Sequence, residues 1–152
     1  MENHKQRPCS IQVTHPFRHS TPLQIRFNDI DTLGHVNNTV YFSFLDLGKT
    51  HYFNEALGKT TDWRAADVVI ANINCDFIAP IRFNENIEVK TQIGHIGNKS
   101  FQVLQAIVNT TTGEVKCLCA TTMVGFDAAT GQARVISGEW REAVSAFEGR
   151  PL

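Results

Sequence analysis

Only one stretch of this chain carries the spacing of a long helix, and it stands between runs that carry the spacing of strands. Across residues 40–57, Tyr41, Phe44, Leu45, Gly48 and Tyr52 recur at intervals of three and four, and Val40, Leu47, Phe53, Ala56 and Leu57 widen the apolar stripe. So broad a stripe predicts a helix largely enclosed by its surroundings. Gly58 is placed to end it as a left-handed cap. What surrounds the helix must therefore be sheet.

Ahead of the helix, residues 21–28 alternate: Leu23, Ile25 and Phe27 share one face, and Gln24, Arg26 and Asn28 share the other, which predicts a half-buried strand. Beyond it, a polar connector around Trp63 (residues 59–67) leads back to strand period. There Val69, Ala71, Ile73, Cys75 and Phe77 alternate with Ile70, Asn72, Asn74 and Asp76 until Pro80 closes the run. Residues 87–95, 101–109 and 115–126 continue the pattern. They are joined at Gly97-Asn98-Lys99 and Thr112-Gly113, whose residues tolerate the positive φ of tight hairpins. A short amphipathic pattern in residues 137–147 (Trp140, Val144, Phe147) predicts a terminal helix starting at Ser137 or Gly138.

The expected architecture is α+β: a curved antiparallel sheet of about five strands around one long buried helix. Its 152 residues suffice for one core. The expected divisions are a poorly ordered tail at 1–20, the domain at 21–136, and a short helix and tail at 137–152. A sheet this small leaves exposed strand edges, so a homodimer or homotetramer is expected.

A formal net charge of −1 and a sequence pI near 6.6 give no broad attraction to nucleic acid or anionic lipid. No run of about 18 apolar residues could span a bilayer, and the first twenty residues show no secretory pattern, so a cytoplasmic protein is expected. Of the four cysteines, Cys75, Cys117 and Cys119 lie in apolar strand runs while Cys9 lies in the tail. All read as reduced side chains, and the Cys117-x-Cys119 spacing is not that of a metal site. No metal and no cofactor are expected.

Chemistry concentrates in residues 26–41, where acids, a glycine, a histidine and paired asparagines precede the helix. Asn37, Asn38 or Thr39 would cap its first amides. A carboxylate beside a helix start is a plausible reactive centre, because those amides present partial positive charge to a developing oxyanion.

The run Arg26-Phe27-x-Asp29-x-Asp31-x-x-Gly34-His35-Val36-Asn37-Asn38-x-x-Tyr41 resembles the hotdog-fold thioesterases of the 4-hydroxybenzoyl-CoA thioesterase-like branch, many of which hydrolyse acyl-CoA. The Phe77-Ile78-Ala79-Pro80 strand ending resembles theirs too, and the likeness covers residues 23–126. It implies that Asp31 is the catalytic carboxylate, as nucleophile or as base toward water. It also implies that the thioester carbonyl lies near the backbone N–H of Asn38, with His35 as the histidine of a G-H-V-N-N variant seen also in plant-type acyl carrier protein thioesterases. Those relatives carry an asparagine two residues after the acid where this chain has Leu33, which argues against a carrier-protein substrate.

Other candidates are Asn37 and Tyr41 at the acyl site, and Lys99, Arg82 and Arg134 for the phosphates of coenzyme A. Each has a plainer reading. Asn37 and Asn38 are capping residues first, Tyr41 lies on the buried stripe, and lone basic residues in turns are usually just solvated. Asp29 reads as structural, pairing with Arg26 or capping the loop, while His51 and His95 have no partner pattern. Two other activities fit the same fold, an enoyl-thioester hydratase and a non-catalytic acyl-thioester binding module. Asp31 separates the latter from an enzyme, since binding alone needs no carboxylate facing the helix amides.

Overall fold

The structure, a computed structural model, describes residues 10–58 and 67–152. The predicted connector around Trp63 and the predicted state of Cys9 fall outside the described residues. Strands β1 (His19–Leu23), β2 (Val68–Phe77), β3 (Ile87–Ile96), β4 (Ser100–Asn109) and β5 (Val115–Asp127) form one antiparallel sheet in the order β1-β3-β4-β5-β2. A two-residue strand, β6 (Gln132–Ala133), adds to the end of β5. Helix α1 (Asn38–Ala56) lies across one face, and α2 (Gly138–Glu148) packs beside its C-terminal end.

The inner face follows from strand period. Ile87, Val89, Thr91 and Ile93 of β3, Phe101, Val103, Gln105 and Ile107 of β4, and Cys117, Cys119, Thr121 and Met123 of β5 alternate inward and are buried. They meet Tyr41, Phe44, Leu45, Gly48, Tyr52 and Phe53 of α1. At Gly48 the helix comes so near β3 that an added Cβ would lie 2.7 Å from Val89 Cγ1. Gln105 Nε2 donates to Leu45 O at 2.9 Å and to Thr91 Oγ1 at 3.1 Å, tying helix to sheet through the core.

The helix is less enclosed than its stripe predicts. The sheet covers one side only, and Phe42 and Leu47 remain on the open side. Its ends match expectation: Asn37 is the N-cap, and Gly58 follows the C-cap with φ +63°. Helix α2 starts at the Ser137 cap, where Ser137 Oγ accepts from Trp140 N, and ends at Gly149 with φ 68°.

Four readings need correction. The chain leaves the sheet at Leu23, opposite Ile87 where β3 begins, so the alternation that runs on to Phe27 has no strand to pair with. Phe27 is 84% exposed and starts a 3-10 turn, Phe27–Asp29. In β2 a bulge at Ala71 breaks the alternation, and the strand is exposed through most of its length. Of the two hairpins, only Gly113 uses a positive φ, and residues 97–99 turn without one. Between residues 10 and 18, the described part of the expected tail, the chain is packed, not loose: Ile11 is buried and His15 O accepts from Gln92 Nε2 at 2.9 Å.

Candidate active site

The loop ahead of α1 is built from short-range bonds that its sequence favours. Asp29, 3% exposed, folds back on Arg26: its Oδ2 accepts Arg26 N at 2.7 Å and its Oδ1 lies 3.5 Å from Arg26 Nη2. Its carbonyl accepts Asn37 N at 2.8 Å. Asp29 is thus the structural acid of the pair. A bridge between Ile30 and Val36 closes the loop, with Asp31 N donating to His35 O and Gly34 N donating to Asp31 O, both at 3.0 Å. Gly34 turns the chain with φ 78°, a conformation that costs a residue with a Cβ.

The loop is pinned to the sheet by one backbone bond, Val36 N to Ile81 O at 2.8 Å. Residues 78–81 are held in turn by β5: Ile78 N and Ala79 N donate to Lys116 O, and Lys116 Nζ reaches Pro80 O at 3.1 Å. That lysine is buried between Glu85, at 2.6 Å, and Glu114. A lysine in the otherwise apolar start of β5 was the available signal for this support, and neither it nor Ile81 was singled out from sequence.

The Asp31 carboxylate is fixed at both oxygens. Oδ1 accepts Leu33 N at 2.9 Å, and Oδ2 accepts Asn37 Nδ2 at 3.2 Å. Leu33, which departs from the carrier-protein pattern, supplies only that amide, and its side chain is 76% exposed. Asn37 works in two directions. Its Oδ1 accepts Thr39 N at 2.9 Å and Thr39 Oγ1 at 2.6 Å, capping the helix, while its Nδ2 steadies Asp31. The one side chain thus serves both the helix cap and the Asp31 carboxylate.

Among the first amides of α1, Thr39 N is taken by Asn37 Oδ1 and Val40 N by Asn37 O at 2.9 Å. The amide of Asn38 has no acceptor among the described residues. One free donor at the positive end of a 19-residue helix therefore adjoins the residue that holds the carboxylate. His35 lies half-buried in the same loop, and its ring makes no hydrogen bond with the described residues.

The other candidates separate. Tyr41 is buried against Phe77, ring centroids 5.1 Å apart, and burial pushes its hydroxyl up to about 12. It is core at the edge of the site. Arg82, one residue after Ile81, stands at the Asp31 end of the sheet with its side chain exposed. Lys99 and Arg134 stand at the other end: Gly125 N donates to Lys99 O, and Arg134 N donates to Gly125 O. Arg134 is also paired with Asp67 at 2.5 Å. Ten-residue strands separate the two ends by about 30 Å, so within one chain these two cannot reach a thioester at Asp31. The strand period that placed them in turns carried no information about which end each turn occupies.

A separate recess of about 430 Å³ lies beside β1 and the C-terminal half of α1, lined by His19, Thr21, His51 and Glu55 among others. Burial there holds His19 below its ordinary range although Glu55 lies 3.1 Å from its Nε2. No three His, Cys, Asp or Glu side chains among the described residues are grouped to hold a metal ion, and no helix among them is long and apolar enough to cross a membrane.

Comparison with known proteins gives one family, the thioesterase-like superfamily, whose pattern matches residues 25–144. Among curated proteins the chain is 26% identical over 125 residues to the long-chain acyl-CoA thioesterase FadM of Escherichia coli, covering 80% of this chain and 93% of that one. Among solved structures it is similar to a thioesterase from Thermus thermophilus complexed with coenzyme A and Zn, with TM-score 0.80 and 28% identity over 90% of this chain and 98% of that one. A mutant 4-hydroxybenzoyl-CoA thioesterase complexed with its 4-hydroxybenzoyl-CoA shares the fold, with TM-score 0.74 and 20% identity over 84% and 98% of the two chains.

Proposed function

The chain belongs to the thioesterase-like superfamily, and from that premise we propose that it hydrolyses acyl-CoA thioesters with Asp31 as the catalytic carboxylate. The observation that carries the reading is the Asp31 carboxylate, clamped by Leu33 N and Asn37 Nδ2, beside the unpartnered amide of Asn38. In this reading the thioester oxygen accepts from Asn38 N–H, and the helix end stabilises the charge that gathers there as the tetrahedral intermediate forms. Asp31 attacks the carbonyl carbon or takes the proton of an attacking water, and His35 is the candidate to return a proton to the departing thiolate. Water is the only co-reactant the hydrolysis needs. The likeness to FadM and to the coenzyme A complex supports CoA as the carrier. We place the enzyme in the cytoplasm, where the free thiols of Cys75, Cys117 and Cys119 stay reduced.

The working unit in this reading is a two-fold pair. Within the described chain β2 pairs only with β5, and its open side carries ten residues of backbone with Val69, Ile70, Ile73 and Phe77 exposed. A second copy pairing there about a two-fold axis runs antiparallel, so its Val68 end meets the Phe77 end of the first. That turns the partner subunit's Lys99 and the partner subunit's Arg134 toward Asp31, where, with Arg82, they face the phosphates of coenzyme A. The separation within one chain then becomes convergence between two.

Release of free thiol from a panel of short, medium, long and aryl CoA thioesters tests the activity and finds the acyl group. Asp31→Asn and Asp31→Ala should remove most turnover with the fold intact. Unchanged turnover in the Asn variant refutes the assignment. Sedimentation at micromolar concentration should give at least twice the 17.0 kDa chain mass, and a monomer sinks the shared site.

A further inference from the structure

Three thiols gather on the inner face where β2 meets β5. Cys75 and Cys119 are direct cross-strand partners, and their sulfurs lie 2.6 Å apart. Cys117, two residues earlier on β5, is buried on the same face. The side chains point toward α1, packing with Tyr41, Phe44 and Leu45, and not along the open edge of β2. No metal geometry accounts for the cluster among the described residues.

Directly opposed residues of antiparallel strands have Cα atoms about 4.5 or 5.5 Å apart, depending on whether they exchange backbone bonds. Both separations fall inside the roughly 4.4–6.8 Å that a disulfide spans. The strands therefore need not move for the sulfurs to join. Access is unequal: Cys75 is half-buried, whereas Cys119 is 1% exposed.

We propose that Cys75 and Cys119 form a built disulfide site, which hydrogen peroxide converts into a covalent tie between β2 and its neighbour β5. The Cys75 sulfur, as thiolate, attacks one peroxide oxygen. The O–O bond breaks, the departing hydroxide takes a proton and leaves as water, and Cys75 becomes a sulfenic acid. The Cys119 sulfur then attacks the Cys75 sulfur, the S–S bond forms, the S–O bond breaks, and the hydroxyl leaves as a second water with the Cys119 proton. Two thiols are oxidised by two electrons and one peroxide is reduced to two waters.

The surroundings set the pace. The neighbouring Cys117 thiol and then burial, only partly offset by Cys119, push the Cys75 thiol up to about 12, and the bond to Cys75 together with burial pushes Cys119 up as well. Thiolate is therefore scarce at neutral pH. The tie forms slowly, under sustained oxidant, and faster as pH rises. Once formed it fixes β2 two residues from Phe77, whose ring packs on Tyr41, so it stiffens the strand against α1.

The test uses the full chain and hydrogen peroxide. Intact mass should fall by about 2 Da, consistent with loss of two thiol hydrogens, and titratable thiols should fall from the four of the sequence to two. A peptide map should join Cys75 to Cys119, with a rate rising about tenfold per pH unit up to pH 10. Cys75→Ser should abolish the mass loss and Cys117→Ser should keep it. A bond mapped to Cys9 or Cys117, a gain of about 32 Da at either thiol from sulfinic acid, or a disulfide-linked dimer on a non-reducing gel overturns the proposal. The map on the unaltered protein decides even if a variant fails to fold.

Discussion

Asn37 does two things with one side chain, and substitution can separate them. Replacing it with alanine removes the cap on Thr39 N, worth about 0.5–2 kcal/mol of stability, or about 1–8 °C in Tm for a chain of this size. It also removes the donor to Asp31 Oδ2. A hydrogen bond to a charged group contributes about 1.5–3 kcal/mol, and this one is only partly buried, which favours the lower half of that range. If the bond serves to hold the carboxylate for reaction, kcat/KM should fall about 10- to 50-fold, at about 1.4 kcal/mol per factor of ten.

Serine discriminates between the roles. Its hydroxyl can accept Thr39 N and restore the cap, but it is too short to replace Nδ2 at Asp31. Asn37→Ser should therefore melt within about 2 °C of the parent while keeping the activity loss. Thermal melting and hydrolysis of the best acyl-CoA substrate read the two effects independently. In an Asp31→Ala background, Asn37→Ser should add no further activity loss, because the group it positions is gone. Full kcat/KM in the serine variant, or an equal further loss without Asp31, would refute the positioning argument.

Three further outcomes follow from the packing. Tyr52 Oη donates to Glu148 Oε1 at 2.5 Å inside the core, and Ile93 N donates to the same oxygen at 2.9 Å, so Tyr52→Phe should cost about 1.5–3 kcal/mol by urea unfolding; a loss below about 0.5 kcal/mol contradicts the pairing. His19 is held below its ordinary value chiefly by burial, with Glu55 only partly offsetting this. The unfolded chain then binds a proton that the folded one resists, so stability is fully present above pH 6.5 and declines as pH falls through 6.5 toward the lowered folded value. His19→Gln should flatten that decline, and an unchanged slope argues against the assignment. Gly48→Ala should gain about 1 kcal/mol of helix propensity yet destabilise overall by about 1–2 kcal/mol, because the new methyl meets Val89 and the overpacking exceeds the gain.

How far the sequence could be read depended on how local each determinant is. The alternation in β3, β4 and β5 was legible because burial on one face imposes a period of two, and α1 because no strand shares its spacing. The grouping of Asp31, Asn37 and Asn38 was legible for a similar reason: eight consecutive residues bring carboxylate, cap and free amide together, and the chain writes that geometry locally. Phe27 shows the opposite case. Its alternation is genuine, but a strand ends where its partner ends, and only the register of Leu23 against Ile87 reveals that limit. Lys99 and Arg134 share that problem on a larger scale, since a basic residue in a turn looks the same at either end of a sheet. Glu148 reads as a surface acid of an amphipathic helix until Tyr52, 96 residues earlier, is found beside it. Groupings set by neighbours in sequence could thus be located in advance, while groupings set by the ends of strands needed the register of the whole sheet.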